Sequence, residues 1–109
     1  MSITSDLLRG HTDTIILRLL INRDSYGYEI NKFISEKTDG AYELKEATLY
    51  SAFRRLEENG AISSYWGDET TGARRRYYSI TRQGRAVYEQ NKADWENAKA
   101  ILDDLIKEV

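Results

Sequence analysis

Near the C-terminal end of this 109-residue chain, Tyr88, Trp95, Leu102 and Val109 recur every seven positions, and Asn91, Ala98 and Leu105 lie three places after the first three. This is the a/d spacing of a helix that packs lengthwise against another helix. Glu89, Lys92, Glu96, Lys99, Asp103 and Glu108 occupy other faces. A chain of this length can bury one modest core but not two. A long helix projecting from so small a domain has nothing of its own against which to bury the stripe. A second copy of the chain is therefore the expected partner. Leu8, Ile15, Tyr88, Trp95, Ala98, Leu102, Leu105 and Val109 form the expected dimer interface. The alternative is a helix folded back on its own domain.

The segments before it read as three helices and a hairpin. The first helix spans roughly Thr4 to Asn22, with Leu8, Ile15, Ile16, Leu19 and Leu20 at helical spacing. The second runs from about Tyr26 to Lys37, with Ile30, Phe33 and Ile34 inward, and "TDG" stops it. The third starts near Glu46 and ends at Asn59-Gly60. Ala61–Trp66 and Arg75–Ile80 are short, rich in β-formers and separated by the turn-like "GDETTGA", which predicts a hairpin. Thr81 is a suitable N-cap for the last helix. The order is that of a winged helix-turn-helix: an α+β, mainly α fold. Residues 1–81 would form the winged-helix unit and 82–109 a C-terminal dimerisation helix.

On the third helix Leu49, Phe53 and Leu56 share one face, which leaves Ala47, Ser51, Arg54 and Glu58 opposite, with Thr48 and Arg55 at the edge and Tyr50 on the flank. Small side chains let a helix enter a major groove ~12 Å wide, hydroxyls meet bases or phosphates, and arginines reach guanines or phosphates. An ordinary amphipathic helix with a solvated outer face shows the same spacing. Asn31 and Lys32 on the second helix are expected to be exposed and able to touch backbone phosphate. The hairpin carries "ARRRYY". Guanidinium groups there can lie on phosphates or in a narrow minor groove, although charge on an edge strand also protects against aggregation. Strand alternation puts Arg74 and Arg76 on one side and Arg75 on the other. Arg74 and Arg75, nearest the loop, are the expected contacts, and Arg76 is the one more suited to supporting the hairpin.

Composition narrows the function. The net charge is −2, yet Ala73–Tyr88 holds five arginines and no acid, and Glu89–Val109 six acids and three lysines. Local field, not the total, governs binding to a polyanion. With no cysteine, one histidine (His11) and no phosphate-cradling glycine motif, no metal site, cofactor or enzyme is expected. The apolar runs are too short for a membrane span and the first residues show no signal-peptide pattern, so a cytoplasmic setting is expected.

The pieces "YGYEI" (26–30), "ATLYSAFRRLEENGAI" (47–62), "GARRRYYSIT" (72–81) and the following "RQGR" resemble, in order and across residues 26–85, the PadR family of bacterial transcriptional regulators, its short-chain multidrug-binding branch in particular. The resemblance implies a winged-helix dimer that represses transcription and leaves its operator on a signal. It implies DNA contacts at Thr48, Tyr50, Ser51, Arg54, Arg74 and Arg75. It also matches Trp95 to a tryptophan that holds planar compounds at the dimer centre, with Leu7, His11, Thr14, Tyr88 and Asn91 around it. Lys99 stands where that branch has an acid. This argues against a preference for cationic drugs and leaves an anionic or neutral aromatic effector open. From spacing alone, Trp95 beside the small Asn91 and Ala98 fits a ligand gap and plain seam filling equally.

The expected function is a homodimeric regulator of a pseudo-palindromic double-stranded DNA operator, with half-sites about 34 Å apart per helical turn. The competing reading is a winged-helix protein-interaction or sensor module without operator binding.

Overall fold

The computed structural model describes residues 7–67 and 74–107. A single 3-10 turn, Arg9–His11, leads into α1 (Thr12–Asn22). The sequence reading of one continuous helix from roughly Thr4, a start outside the described residues, is corrected here: this turn interrupts the helix, which runs regularly only from Thr12. There the Thr12 hydroxyl donates to the Arg9 carbonyl at 3.1 Å, a local side-chain bond that competes with the regular ladder. Next come α2 (Gly27–Lys37), α3 (Glu46–Glu58), strands β1 (Ile62–Trp66) and β2 (Arg76–Ile80), and the 25-residue α4 (Arg82–Ile106). At 1.5 Å per residue α4 is about 37 Å long, and it gives the molecule its longest extent of 59 Å.

The core follows helical spacing. Ile16, Leu17 and Leu20 of α1, Ile30 and Ile34 of α2, and Leu49, Ala52, Phe53 and Leu56 of α3 close around Leu44, Ala61, Ile62 and Tyr78. Phe33 departs from expectation: it is exposed. On α2, Ile34 lies about 40° to one side of Ile30 and Phe33 about 60° to the other. The buried arc runs toward Ile34 and Gly27, which leaves Phe33 outside it.

The strands pair antiparallel from Ile62–Ile80 to Trp66–Arg76. A two-stranded ribbon is marginal alone, and a contact absent from the sequence reading supports it. Ser25, in the α1–α2 turn, exchanges two backbone hydrogen bonds with Tyr78, of 3.2 and 2.8 Å. This bridge joins the hairpin to the helices.

The helix ends carry the expected chemistry. Beyond α3, Asn59 is the C-cap and Gly60 turns the chain at φ +78°. Thr81 caps α4, its hydroxyl oxygen accepting from the Gly84 N–H at 3.0 Å. The same hydroxyl donates to the Gly60 and Ala61 carbonyls, at 2.7 and 3.0 Å. Gly84 presses so close to the hairpin base that a Cβ there would stand 2.1 Å from the Ala61 carbonyl oxygen and 2.8 Å from Ile80 Cγ1. Both the backbone and the buried core resist moving away. Gly84→Ala is therefore expected to lower unfolding free energy by about 3 kcal/mol in a urea titration.

Candidate nucleic-acid interface

The outer face of α3 is open along its length. Ala47, Thr48, Ser51, Arg54, Arg55 and Glu58 are all exposed, while Leu49, Ala52, Phe53 and Leu56 are buried behind them. Tyr50, on the flank, sets its ring edge against Phe53 with centroids 5.5 Å apart. Its hydroxyl would lie 2.7 Å from a Cβ on Gly27, so the glycine of "YGYEI" makes room for this tyrosine. Two clefts flank α3. One of about 520 Å³ runs between its outer face (Ala47, Thr48, Ser51, Arg55) and the 3-10 turn with the first residues of α1 (Arg9, Gly10, Thr12, Asp13). The other, of about 600 Å³, separates its first turn from α2 and includes Lys32 and Tyr28.

Arg55 is engaged within the protein. Its Nε and Nη2 donate to Oδ2 and Oδ1 of Asp13, at 3.2 and 2.5 Å. The hydrogen bond to Asp13, more than its coulombic attraction, holds the guanidinium pKa above its ordinary value against a smaller opposing effect of burial. Asn31 also departs from expectation. It is half-buried, and its amide donates to the Leu44 carbonyl at 2.7 Å while its Oδ1 accepts from the Leu44 N–H at 2.8 Å. This side chain clamps the segment leading into α3, so its amide is engaged within the chain. Lys32 beside it is exposed, as expected.

On the hairpin the three arginines divide as strand alternation requires. Arg74 and Arg76 both lie over Trp66, at 4.7 and 5.7 Å from the ring centroid, and Arg75 lies over Tyr26 at 4.8 Å. Arg76 also donates to Ser64 at 2.8 Å and pairs with Glu57 at 3.6 Å, which ties the strand to α3. All three arginines are exposed. Tyr77 stacks on Tyr65, whose hydroxyl donates to Asp24 at 2.6 Å. That bond pushes the Tyr65 phenol up to about 12.

Along α4 the apolar stripe is wider than two positions per heptad. Trp95, Leu102 and Leu105 are exposed, and so are Ile101 and Ile106, which the a/d reading left out. Ala98 and Lys99 are exposed too. Tyr88 and Ile15 pack at the edge of the chain's own core, and Leu8 is half-buried. His11 meets Trp95 edge to face, centroids 5.0 Å apart at 74°. Thr14 and Asn91 are half-buried, and Leu7 is exposed. Val109 lies outside the described residues.

Residues 16–90 match the model of the transcriptional regulator PadR-like family. The chain belongs to that family. An uncharacterised protein of Lysinibacillus sphaericus is 46% identical over 101 residues, which is 93% of each chain. A transcriptional regulator of Clostridium thermocellum of known structure is 55% identical, with a TM-score of 0.87 over 94% of this chain and 99% of that one. A PadR family transcription regulator of hypervirulent Clostridium difficile is 35% identical, with a TM-score of 0.78 over 88% and 98%. As a PadR-family protein, this chain is a DNA-binding transcription regulator and not an enzyme. Among the described residues no group of three or more His, Cys, Asp or Glu is placed to hold a metal ion, and no helix is long and apolar enough to cross a membrane.

Within the PadR fold the structure brings His11 and Trp95 together, and it arrays Thr48, Ser51 and Arg54 on one open face. Asp13 and Leu44, the partners of Arg55 and Asn31, lie 42 and 13 residues away in sequence, and no local periodicity announces them. Asn31→Ala would leave both backbone groups of Leu44 without a partner. It is expected to lower stability by about 2 kcal/mol, read from the shift in denaturation midpoint at unchanged m-value.

Proposed function

We propose that this PadR-family regulator is a homodimeric repressor that binds a pseudo-palindromic operator and leaves it when a planar aromatic effector enters the dimer seam. The open outer face of α3 carries this reading. Thirteen residues of helix bury one side completely and leave small, hydroxyl and arginine side chains on the other. In this reading Thr48, Ser51 and Arg54, with Ala47 giving clearance and Tyr50 at the flank, choose the sequence. Arg74 and Arg75, with Lys32, hold the phosphates. The aromatic rings under the wing arginines restrict their rotamers, so less freedom is lost when they meet phosphate.

The open apolar stripe of α4 supports self-association, because Ile101, Leu102, Leu105 and Ile106 otherwise face water. The winged-helix unit 1–81 and the helix 82–109 then divide the work between DNA and dimer. The effector is placed at Trp95, and the exposed Lys99 favours an anionic or neutral aromatic over a cation. The setting is cytoplasmic, where the operator is.

Binding to the promoter of the chain's own operon tests the reading. At ~50 mM salt the promoter duplex is expected to shift well before random duplex, and its affinity to fall steeply as salt rises. Equal affinity for both duplexes would favour the protein-interaction alternative. Arg74→Ala is expected to weaken every duplex alike, whereas Ser51→Ala or Arg54→Ala changes which sequence is preferred, by about 1–3 kcal/mol for the arginine. Leu105→Asp is expected to yield monomers at micromolar concentration in sedimentation, and with them to lose promoter preference. A Leu105→Asp protein that remains dimeric would remove α4 from the interface.

A further inference from the structure

The junction of the 3-10 turn with α1 touches both ends of the proposed mechanism. His11 meets Trp95 on α4, centroids 5.0 Å apart. Two residues on, Asp13 grips Arg55 of α3 through two hydrogen bonds. Between them Thr12 is buried, and its hydroxyl ties back to Arg9. We propose that His11–Asp13 is a mechanical link between the seam of α4 and the reading helix, with Asp13 a positioning residue that acts through Arg55. The link rests on the DNA-binding reading above and deepens it by naming how the seam is felt at α3.

A half-exposed ion pair contributes little as attraction alone, but a bidentate fork is specific for angle and separation. Its hydrogen bonds lose alignment over displacements of about an ångström. His11 and Asp13 share one turn of backbone. Anything that takes the Trp95 contact from His11 therefore disturbs the fork. With the fork closed, Asp13 neutralises Arg55 and Arg54 stands beside it on the open face. With the fork open, Arg55 is a loose cation one turn beyond Ser51, able to hold phosphate on any sequence. The link thus governs operator discrimination more than total affinity. Binding couplings are reciprocal, so the operator must also be felt at Trp95.

The experiment uses the full chain with both tryptophans replaced by 5-fluorotryptophan, the Trp95 resonance being assigned with Trp66→Phe. Fluorescence anisotropy of labelled duplexes reports binding. Promoter duplex is expected to shift the Trp95 19F resonance, and random duplex at equal occupancy to leave it in place. Asp13→Asn is expected to abolish that shift, lower the promoter-to-random affinity ratio about tenfold and steepen the salt dependence on random duplex by about one phosphate contact. Asp13→Glu, which keeps the charge but carries the carboxylate one methylene further, is expected to restore the salt dependence on random duplex and to leave the ratio lowered. Should Asp13→Asn not fold, Arg55→Lys keeps the charge, breaks the fork and gives the same readout. Promoter binding with an unmoved Trp95 resonance, or a shift that survives Asp13→Asn, would overturn the link alone. Anisotropy with no promoter preference in the unsubstituted chain would instead overturn the DNA-binding reading, and the link with it.

Discussion

Phe53 and Tyr78 stack face to face with centroids 3.9 Å apart and planes 16° from parallel, both rings buried. Phe53 belongs to α3 and Tyr78 to β2, and the backbone N–H of Tyr78 donates to the Ser25 carbonyl while its own carbonyl accepts from the Ser25 N–H. One aromatic pair therefore holds the third helix, the hairpin and the α1–α2 turn in a fixed relation. A two-stranded ribbon cannot hold its own orientation in water, so the wing takes its angle from this stack. The outer face of α3 lies opposite Phe53, and the orientation of that face inherits the same constraint. Burial of the two rings also explains why the phenol of Tyr78 is held above its ordinary pKa, desolvation being the largest cause.

The charge pattern follows from where aromatic rings sit. The chain is net negative, with 18 acids against 16 Lys and Arg, yet the wing presents guanidinium groups over Trp66 and Tyr26. A guanidinium lying on a ring keeps most of its hydrogen-bond donors at its edge, directed away from the π-face. Stacking thus orients the guanidinium groups along the wing. Arg76 is also engaged with Ser64 and Glu57, which braces β2 against α3.

Much of this fold is legible locally. The Asn59-Gly60 stop, the Thr81 cap, the buried face of α3 and the two-sided arginine run each depend on residues within one turn or one strand, where periodicity and cap chemistry operate. Pairings between distant residues leave no such trace. The Ser25–Tyr78 bridge, the Asn31–Leu44 clamp and the Asp13–Arg55 fork depend on where the chain folds back, and each engages a polar group within the chain that local spacing leaves open. Phe33 shows the related weakness of a short helix: three apolar residues span about 100° of arc, and only the packed neighbours decide which edge is buried. Ile101 and Ile106 fall outside a strict a/d template because it leaves out the flanking positions that widen an apolar stripe.

The two halves of α4 are under different constraints. Its first turns are fastened to the rest of the chain through Gly84, Val87 and Tyr88, while the half beyond Trp95 carries Ile101, Leu102, Leu105 and Ile106 into water. Trp95 stands at the boundary. Because His11 rests against it, one side of the indole is fixed from within the chain. His11 belongs to the 3-10 turn that leads into α1, so the surroundings of the indole depend on that turn as much as on α4. With the small Asn91 and Ala98 beside it along α4, shifting the turn changes those surroundings more directly than repacking the helix that carries Trp95.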